Sequence, residues 1–348
     1  MARKRKYRRP KRTHRRIVIS MSGGRSSARL SKIAQCVFGH ENVDHVFMDT
    51  GAEAKGTYDF IRKCNEYFDL KLVCLRADFK MPLGTPNNYL LLDIKDIKPD
   101  LVPYEKMMEK YGVPYIGGMF CTDRMKLQPY HKFCRDMYGD DNYETWLGIR
   151  IDEPKRLWGF DITQPLKSCY TQISECGYDD AEISEMYVDI RTGKSTYENY
   201  ELSDLALQLM KARIEKLEKE KIHYLAEIDP DFDKEMSFKW WESQPFDLEI
   251  DEWSGNCLYC PKKTELKLAA SSRDNSDEYH KFLKALHSPT VRVDDTTGTR
   301  ETMYRGKRSL EQVVGMFDGS TGDEIKARIV GAKMLDTGSC SESCEVFN

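Results

Sequence analysis

The 348-residue chain holds no run approaching the ~18 consecutive apolar residues of a membrane span. Its cationic start is not followed by an apolar stretch, so a secretory leader is not expected. Eleven cysteines are too few to staple a chain of this length, and without a leader they read as reduced, intracellular thiols. The seven histidines scatter without metal-ligand spacing. A Walker A loop, a GxGxxG fingerprint and an internal repeat are all missing. What is there is a globular composition, 40% hydrophobic and 32% charged. That suffices for a real core in one large domain, or in one domain with an appendage.

Charge is spread unevenly. Residues 1–16 (MARKRKYRRPKRTHRR) contain ten Lys/Arg and no acid, whereas residues 17–348 carry 44 basic against 57 acidic residues, a net of −13. A basic arm on an acidic body is a pattern of nucleic-acid contact. A disordered, solubilising tail has the same composition, and the sequence leaves both readings open.

Along the chain, IVISMS (17–22) is a short apolar run ending at Gly23-Gly24. A helix follows, with Leu30, Ile33, Ala34 and Val37 at helical spacing. VDHVFMDT (43–50) and KLVCLRAD (71–78) read as strands around a helix at 57–68 that presents Tyr58, Ile61, Cys64 and Phe68. This alternation predicts an α/β fold with a mostly parallel sheet and right-handed crossovers. Residues 79–120 read as irregular except for a helix near 103–111; a helix follows Cys121, and TWLGIRID (145–152) is a further strand. Within 177–230 a hairpin is expected around Thr192-Gly193 and a long charged helix over 201–226, so the segment reads as an insertion. A helix ended by Pro245 follows, then helices near 277–287 and 308–317. The expected organisation is an arm (1–16), a nucleotide-binding domain (17–176), the insertion (177–230), a small mixed C-terminal region (231–335) and a cysteine-containing tail (336–348).

The sharpest motif is Ser22-Gly23-Gly24-Arg25-Ser26-Ser27, between a strand and a helix. Paired glycines let a backbone approach phosphates, and N–H groups at a helix start supply a positive pole. Ser22, Ser26 and Ser27 add hydroxyls and Arg25 a fixed charge, although an ordinary strand–turn–helix hinge has the same glycines. The next strand ends in MDTGAE, which places Asp49, Thr50, Gly51 and Glu53 at the carboxyl edge of the sheet. A later strand ends in Gly148-Ile149-Arg150-Ile151-Asp152-Glu153, where Arg150 is either a ligand contact or half of a surface ion pair.

Together these motifs resemble a known family. SGGRSS looks like the PP-loop of the adenine-nucleotide alpha-hydrolase superfamily. DTGAE with TYDF, Cys121-Thr122-x-x-x-Lys126 and GIRIDEPKR resemble, in that order, the phosphoadenosine phosphosulfate (PAPS) reductase family. WWESQPFDL and GNCLYCPKK resemble its branch common in phage and bacterial mobile elements. The resemblance covers roughly 17–176 and 230–275. It implies a doubly wound sheet binding ATP or a related adenine nucleotide, with phosphates on residues 22–27 and Mg²⁺ present. Asp49 and Gly51 would border the nucleotide, with Thr50 and Gly148 beside it, and Arg150 would approach a phosphate or sulfate. Arg25, Asp49 and Arg150 are the expected catalytic residues. The commonest loop of the superfamily has Lys and Asp where this chain has Arg25 and Ser26, and the Glu-Cys-Gly-Leu-His segment of PAPS reductases does not occur. The expected setting is a bacterial cytoplasm, or a host's if the chain is phage-encoded.

Cys257-Leu258-Tyr259-Cys260 is a CxxC, a spacing at which two thiolates grip one metal ion or cluster, and Cys121 is the candidate third ligand. Zinc would need four closed ligands, whereas three cysteines could hold a [4Fe–4S] cluster with one open iron; both stay open. Cys340 and Cys344 could complete a site or belong to an exposed tail, and Cys36, Cys64 and Cys74 read as core residues. Trp240, Trp241 and Phe246 read as core, and His131 as a ligand or a structural histidine. The expected function is adenylylation of a substrate oxygen, or sulfur transfer, by an enzyme whose basic arm brings in a nucleic acid. The alternatives are a nucleotide-binding sensor or adaptor, or a zinc-containing nucleic-acid-binding protein. A homodimer is open.

Overall fold

A computed structural model describes residues 15–161, 164–293 and 298–333. Most of the basic arm, and both Cys340 and Cys344, lie outside the described residues. The fold is α/β around one six-stranded sheet of order β4-β3-β2-β1-β5-β6. The strands are β1 (Arg16–Met21), β2 (Val43–Met48), β3 (Val73–Asp78), β4 (Asn88–Leu92), β5 (Tyr143–Leu147) and β6 (Ile222–Tyr224). All pairings are parallel except β3 with β4. Thirteen α-helices occur among the described residues: α1 (Arg25–Phe38), α2 (Lys55–Tyr67), α3 (Val102–Tyr111), α4 (Gln128–Tyr138), α5 (Pro154–Trp158), α6 (Cys169–Ser174), α7 (Asp180–Thr192), α8 (Asp204–Glu220), α9 (Lys234–Glu242), α10 (Glu265–Asp274), α11 (Ser276–Leu286), α12 (Leu310–Gly315) and α13 (Gly322–Lys333). None is long and apolar enough to cross a membrane.

The central strands β1, β2 and β3 are largely buried because both faces of the sheet are covered there. Val18 packs with Val46, Leu75 and Leu147 in a core completed by α4 and helices α5 to α8. Its neighbours Ile17 and Ile19 point the other way, onto Leu30 and Ala34 of α1. Met21 and Phe47 meet Tyr58, Ile61 and Cys64 of α2 and Trp241 of α9. A further cluster joins the loop after β2 to α3 and the C-terminal helices.

The segment 177–230 departs from expectation. No hairpin forms at Thr192-Gly193; residues 180–192 are α7. Asp179 Oδ1 accepts hydrogen bonds from the Ala181 and Glu182 amides, both at 2.9 Å, and the Asp179 amide donates to the Glu182 carboxylate. Gly193, read as a turn residue, is the left-handed cap that ends this helix. The long helix stops at Glu220, and Ile222–Tyr224 becomes a sixth strand beside β5. Met210, Ile214, Leu217 and Ile222 share the core with Val18, so the segment packs on the main body. Val37 and Cys36, expected on the apolar face of α1, are exposed, while Cys64 and Cys74 are buried. Trp241 is fully buried; Trp240 and Phe246 pack at the margin of the same cluster.

Candidate nucleotide and cysteine site

β1 ends at Met21, the chain turns, and α1 begins at Arg25. Gly23 has φ of +82°, and a Cβ there would lie 2.6 Å from Thr57 Cγ2, so a positive φ and a close approach both call for glycine. The Ser22 amide donates to Ser27 Oγ (3.1 Å) and Ser27 Oγ donates to the Gly24 carbonyl (2.9 Å), which closes the turn. Gly24 offers α1 no side-chain cap and the first turn has no acid. The first helical amide bond runs from Ala28 to Gly24, leaving the N–H groups of Arg25, Ser26 and Ser27 without an intrahelical acceptor at the positive end.

β5 ends beside this loop, because it neighbours β1 and runs parallel to it. The strand order reverses here, the place where open α/β sheets take their ligands. A Cβ on Gly148 would lie 2.6 Å from the Ser27 amide nitrogen and 2.7 Å from Ser27 Cα. Two residues on, Arg150 donates through Nη1 to Ser26 Oγ (3.0 Å) and through Nε and Nη2 to the Asp152 carboxylate (2.7 and 3.0 Å). Asp152 thus orients the guanidinium against the loop. Burial opposes ionisation of Glu153, yet Arg156 and Arg150 hold it below the usual carboxylate range. Arg25 points elsewhere: it forms a two-pronged pair with Asp247 (2.7 and 2.8 Å) and lies over the Phe238 ring. The loop cation expected for phosphate is directed at Asp247, whereas Arg150, also paired with a carboxylate, is bonded to the loop itself.

The loop after β2 holds a buried polar network that sequence reasoning read only in part. Asp49 Oδ1 accepts from the Gly51 amide (2.9 Å) and lies 3.0 Å from the Tyr58 hydroxyl. Asp49 Oδ2 accepts from Arg76 Nε (3.0 Å), and Arg76 Nη1 reaches Asp100 at 3.0 Å. Thr50 Oγ1 donates to Glu53 at 2.8 Å. Tyr58 is also 3.0 Å from Glu53 Oε2, so one phenolic proton faces two carboxylates. Burial, assisted by the Glu53 charge and opposed by Arg76, pushes the Asp49 carboxyl up to about 6. Asp49 and Thr50 are fully enclosed, so they brace the crevice from behind instead of lining it openly. Tyr58, Arg76 and Asp100 were missed. The signal available was Arg76, a charge inside an otherwise apolar strand.

The cysteine loop docks on the same segment. Glu53 and Cys257 form an antiparallel bridge, and the Leu258 amide donates to the Ala52 carbonyl at 2.9 Å. Cys121 precedes a π-helical turn at Asp123–Leu127, a local expansion frequent at functional sites. Lys126 from that turn comes 4.0 Å from Glu53. Cys121, Cys257 and Cys260 are buried in one apolar cluster, and the charge each can carry raises the Tyr104 hydroxyl's pKa, after burial itself. Among the described residues, no three His, Cys, Asp or Glu side chains converge as ligands of a single ion. His131 Nδ1 lies 3.3 Å from the Tyr143 hydroxyl, and burial lowers its pKa.

Over 334 residues the chain is 37% identical to the uncharacterized nin region protein ORF290 of Escherichia phage lambda, a match covering 95% of this chain and 94% of that protein. The chain belongs to the ORF290 family. Two uncharacterized proteins of Methanocaldococcus jannaschii, MJ0066 and MJ0973, are each 26% identical, over 134 and 141 residues. Those matches span 38% and 39% of this chain but only 22% and 28% of the archaeal proteins. No family model and no solved structure matches.

Proposed function

We propose that the chain is a PP-loop enzyme of the PAPS reductase type, with a doubly wound sheet, that binds ATP or a related adenine nucleotide at the carboxyl edge of β1 and β5. The observation carrying this reading is the start of α1: an uncapped, acid-free helix N-terminus behind Gly23-Gly24, with Gly148 and Arg150 packed against it. The open N–H groups would neutralise a pyrophosphate, Ser22 and Ser26 would add hydroxyl donors, and Arg150 would supply the cation that Arg25 does not. In adenylylation, an acceptor oxygen attacks the α-phosphorus, the α–β bond breaks, and pyrophosphate leaves with the electron pair into this loop. Mg²⁺, when bound, would offset further phosphate charge. Asp49 positions the Gly51 turn from below.

In the sulfur-transfer form, Cys121, Cys257 and Cys260 would hold the metal group. Three buried thiols in one apolar cluster suit either a [4Fe–4S] cluster or a zinc ion in donor chemistry. Anaerobically purified protein is expected to contain iron and sulfide that Cys257→Ser loses, which elemental analysis and the visible spectrum would read; a single retained zinc would make the loop structural. The basic residues 1–16 would engage a nucleic-acid acceptor, and a homodimer fits the same reading.

Calorimetry with ATP tests the core of the proposal. Arg150→Met is expected to weaken binding at least about tenfold, the worth of one charge-assisted contact. A folded wild-type protein that binds no adenine nucleotide would overturn the reading. The Arg25–Asp247 pair favours one other, a nucleotide-binding sensor or adaptor. ATP binding without AMP or pyrophosphate release across candidate acceptors would decide for that.

A further inference from the structure

A groove of about 570 Å³ opens beside α1. Arg29 and Lys32 line it from α1, Tyr67 and Phe68 from the end of α2, and Trp240 and Gln244 from α9 and the turn after it. No Asp or Glu is among its lining residues, on a body whose residues 17–348 carry a net charge of −13. Its cations and its rings are organised together. The Arg29 guanidinium lies 4.9 Å over the Trp240 ring and 5.2 Å over Phe232, and Asp229 holds it there at 3.0 Å. Phe68 stacks on Trp240 with centroids 6.1 Å apart, and Tyr67 beside it is 55% exposed.

The root of the basic arm lies at the far end of the same helix. Arg16 donates to Asp44 and to the Glu41 carbonyl, three residues past the end of α1. Lys32 sits six residues before that end, about 9 Å along the helix axis. The opposite end of α1 is the phosphate loop. One helix therefore connects the arm, the groove and the crevice.

We infer that this groove binds single-stranded nucleic acid, with a base laid against the exposed Tyr67 ring and the adjoining phosphate held by Lys32. An exposed ring beside a cation, with no carboxylate among the lining side chains, is the feature that holds unpaired bases and their backbone together. A duplex hides its base faces and offers only phosphate. The inference rests on a nucleic-acid partner for this chain, but not on nucleotide binding at the loop.

The test is anisotropy of fluorescent dT20, rU20 and a 20-bp duplex with the full-length protein over a range of salt. Tyr67→Ala, at an exposed position, is expected to weaken single-strand binding by about tenfold while leaving the salt slope unchanged. Lys32→Gln is expected to weaken it and to reduce the slope by about one. A protein lacking residues 1–14 should bind more weakly yet stay sensitive to Tyr67→Ala. If the arm deletion abolishes binding and both groove variants behave as wild type, the groove is overturned while the nucleic-acid partner stands. Duplex bound as tightly as strand, with no effect of Tyr67→Ala, overturns it equally. No binding of any probe removes the partner as well. Unchanged thermal melts of the two point variants keep misfolding from imitating either result.

Discussion

A Gly148→Ala protein is expected to lose ATP binding and to melt several degrees below wild type. Its new methyl would meet backbone: the Ser27 nitrogen at 2.6 Å, Ser27 Cα at 2.7 Å and the Ser26 carbonyl carbon at 2.8 Å. No rotamer change relieves such a contact, so the end of β5 must move away from the start of α1. Overpacking of this kind costs about 1–3 kcal/mol. The displacement also breaks the 3.0 Å bond from Arg150 to Ser26 and turns the first-turn N–H groups from their shared direction. Gly24→Ala is the matched control. Its Cβ would meet only Ser22 Oγ at 3.6 Å, and its backbone is already extended. It should melt near wild type, so calorimetry of the two variants separates loop geometry from a generic dislike of alanine. Wild-type affinity in Gly148→Ala would show that β5 does not shape the site.

The strands and helices that were legible in the sequence are those whose pattern is local. IVISMS, VDHVFM and the helices after them announce themselves by apolar runs and 3.6-residue spacing, and the SGGRSS turn by its glycines. Gly148 was legible as a residue at a strand end, but the reason it must be glycine lies in Ser26 and Ser27, more than a hundred residues away. β4 escaped notice because an edge strand with one half-exposed face alternates weakly. α7 was misread because a glycine in the left-handed region serves a hairpin turn and a helix C-cap equally well; Asp179 and Glu182, three residues apart, were the capping pair that would have decided it. The side-chain partners of Asp49 come from β3 and α2, Arg76 in turn reaches Asp100 on the approach to α3, and no spacing rule links them. Arg25 shows the converse. Its place in the loop suggested phosphate, and only the fold brings Asp247 to it across 222 residues.

Replacing Arg76 with methionine is expected to destabilise the fold by about 3–5 kcal/mol, the range for removing one partner of a buried ion pair. Arg76 reaches Asp49 and Asp100 together, and Asp49 in turn shares the Tyr58 hydroxyl with Glu53. Without the guanidinium the Gly51 amide and the phenol remain on Asp49, and neither offsets a buried charge. The loss should depend on pH with a definite sign. In the wild type the Asp49 carboxyl is already raised to about 6, so the stability it contributes is fully present below its unfolded pKa of about 3.8 and falls away as pH rises through 6. Removing Arg76 takes away the pull that opposes this rise, and the variant keeps Asp49 protonated to still higher pH. Urea melts should therefore show a larger gap between variant and wild type at pH 8 than at pH 5. Adding Asp49→Asn to Arg76→Met removes the stranded charge and should restore part of the stability at pH 8 while changing little at pH 5. A gap independent of pH, or a double variant no better than the single one, would mean that Arg76 acts by packing its side chain and not by balancing Asp49.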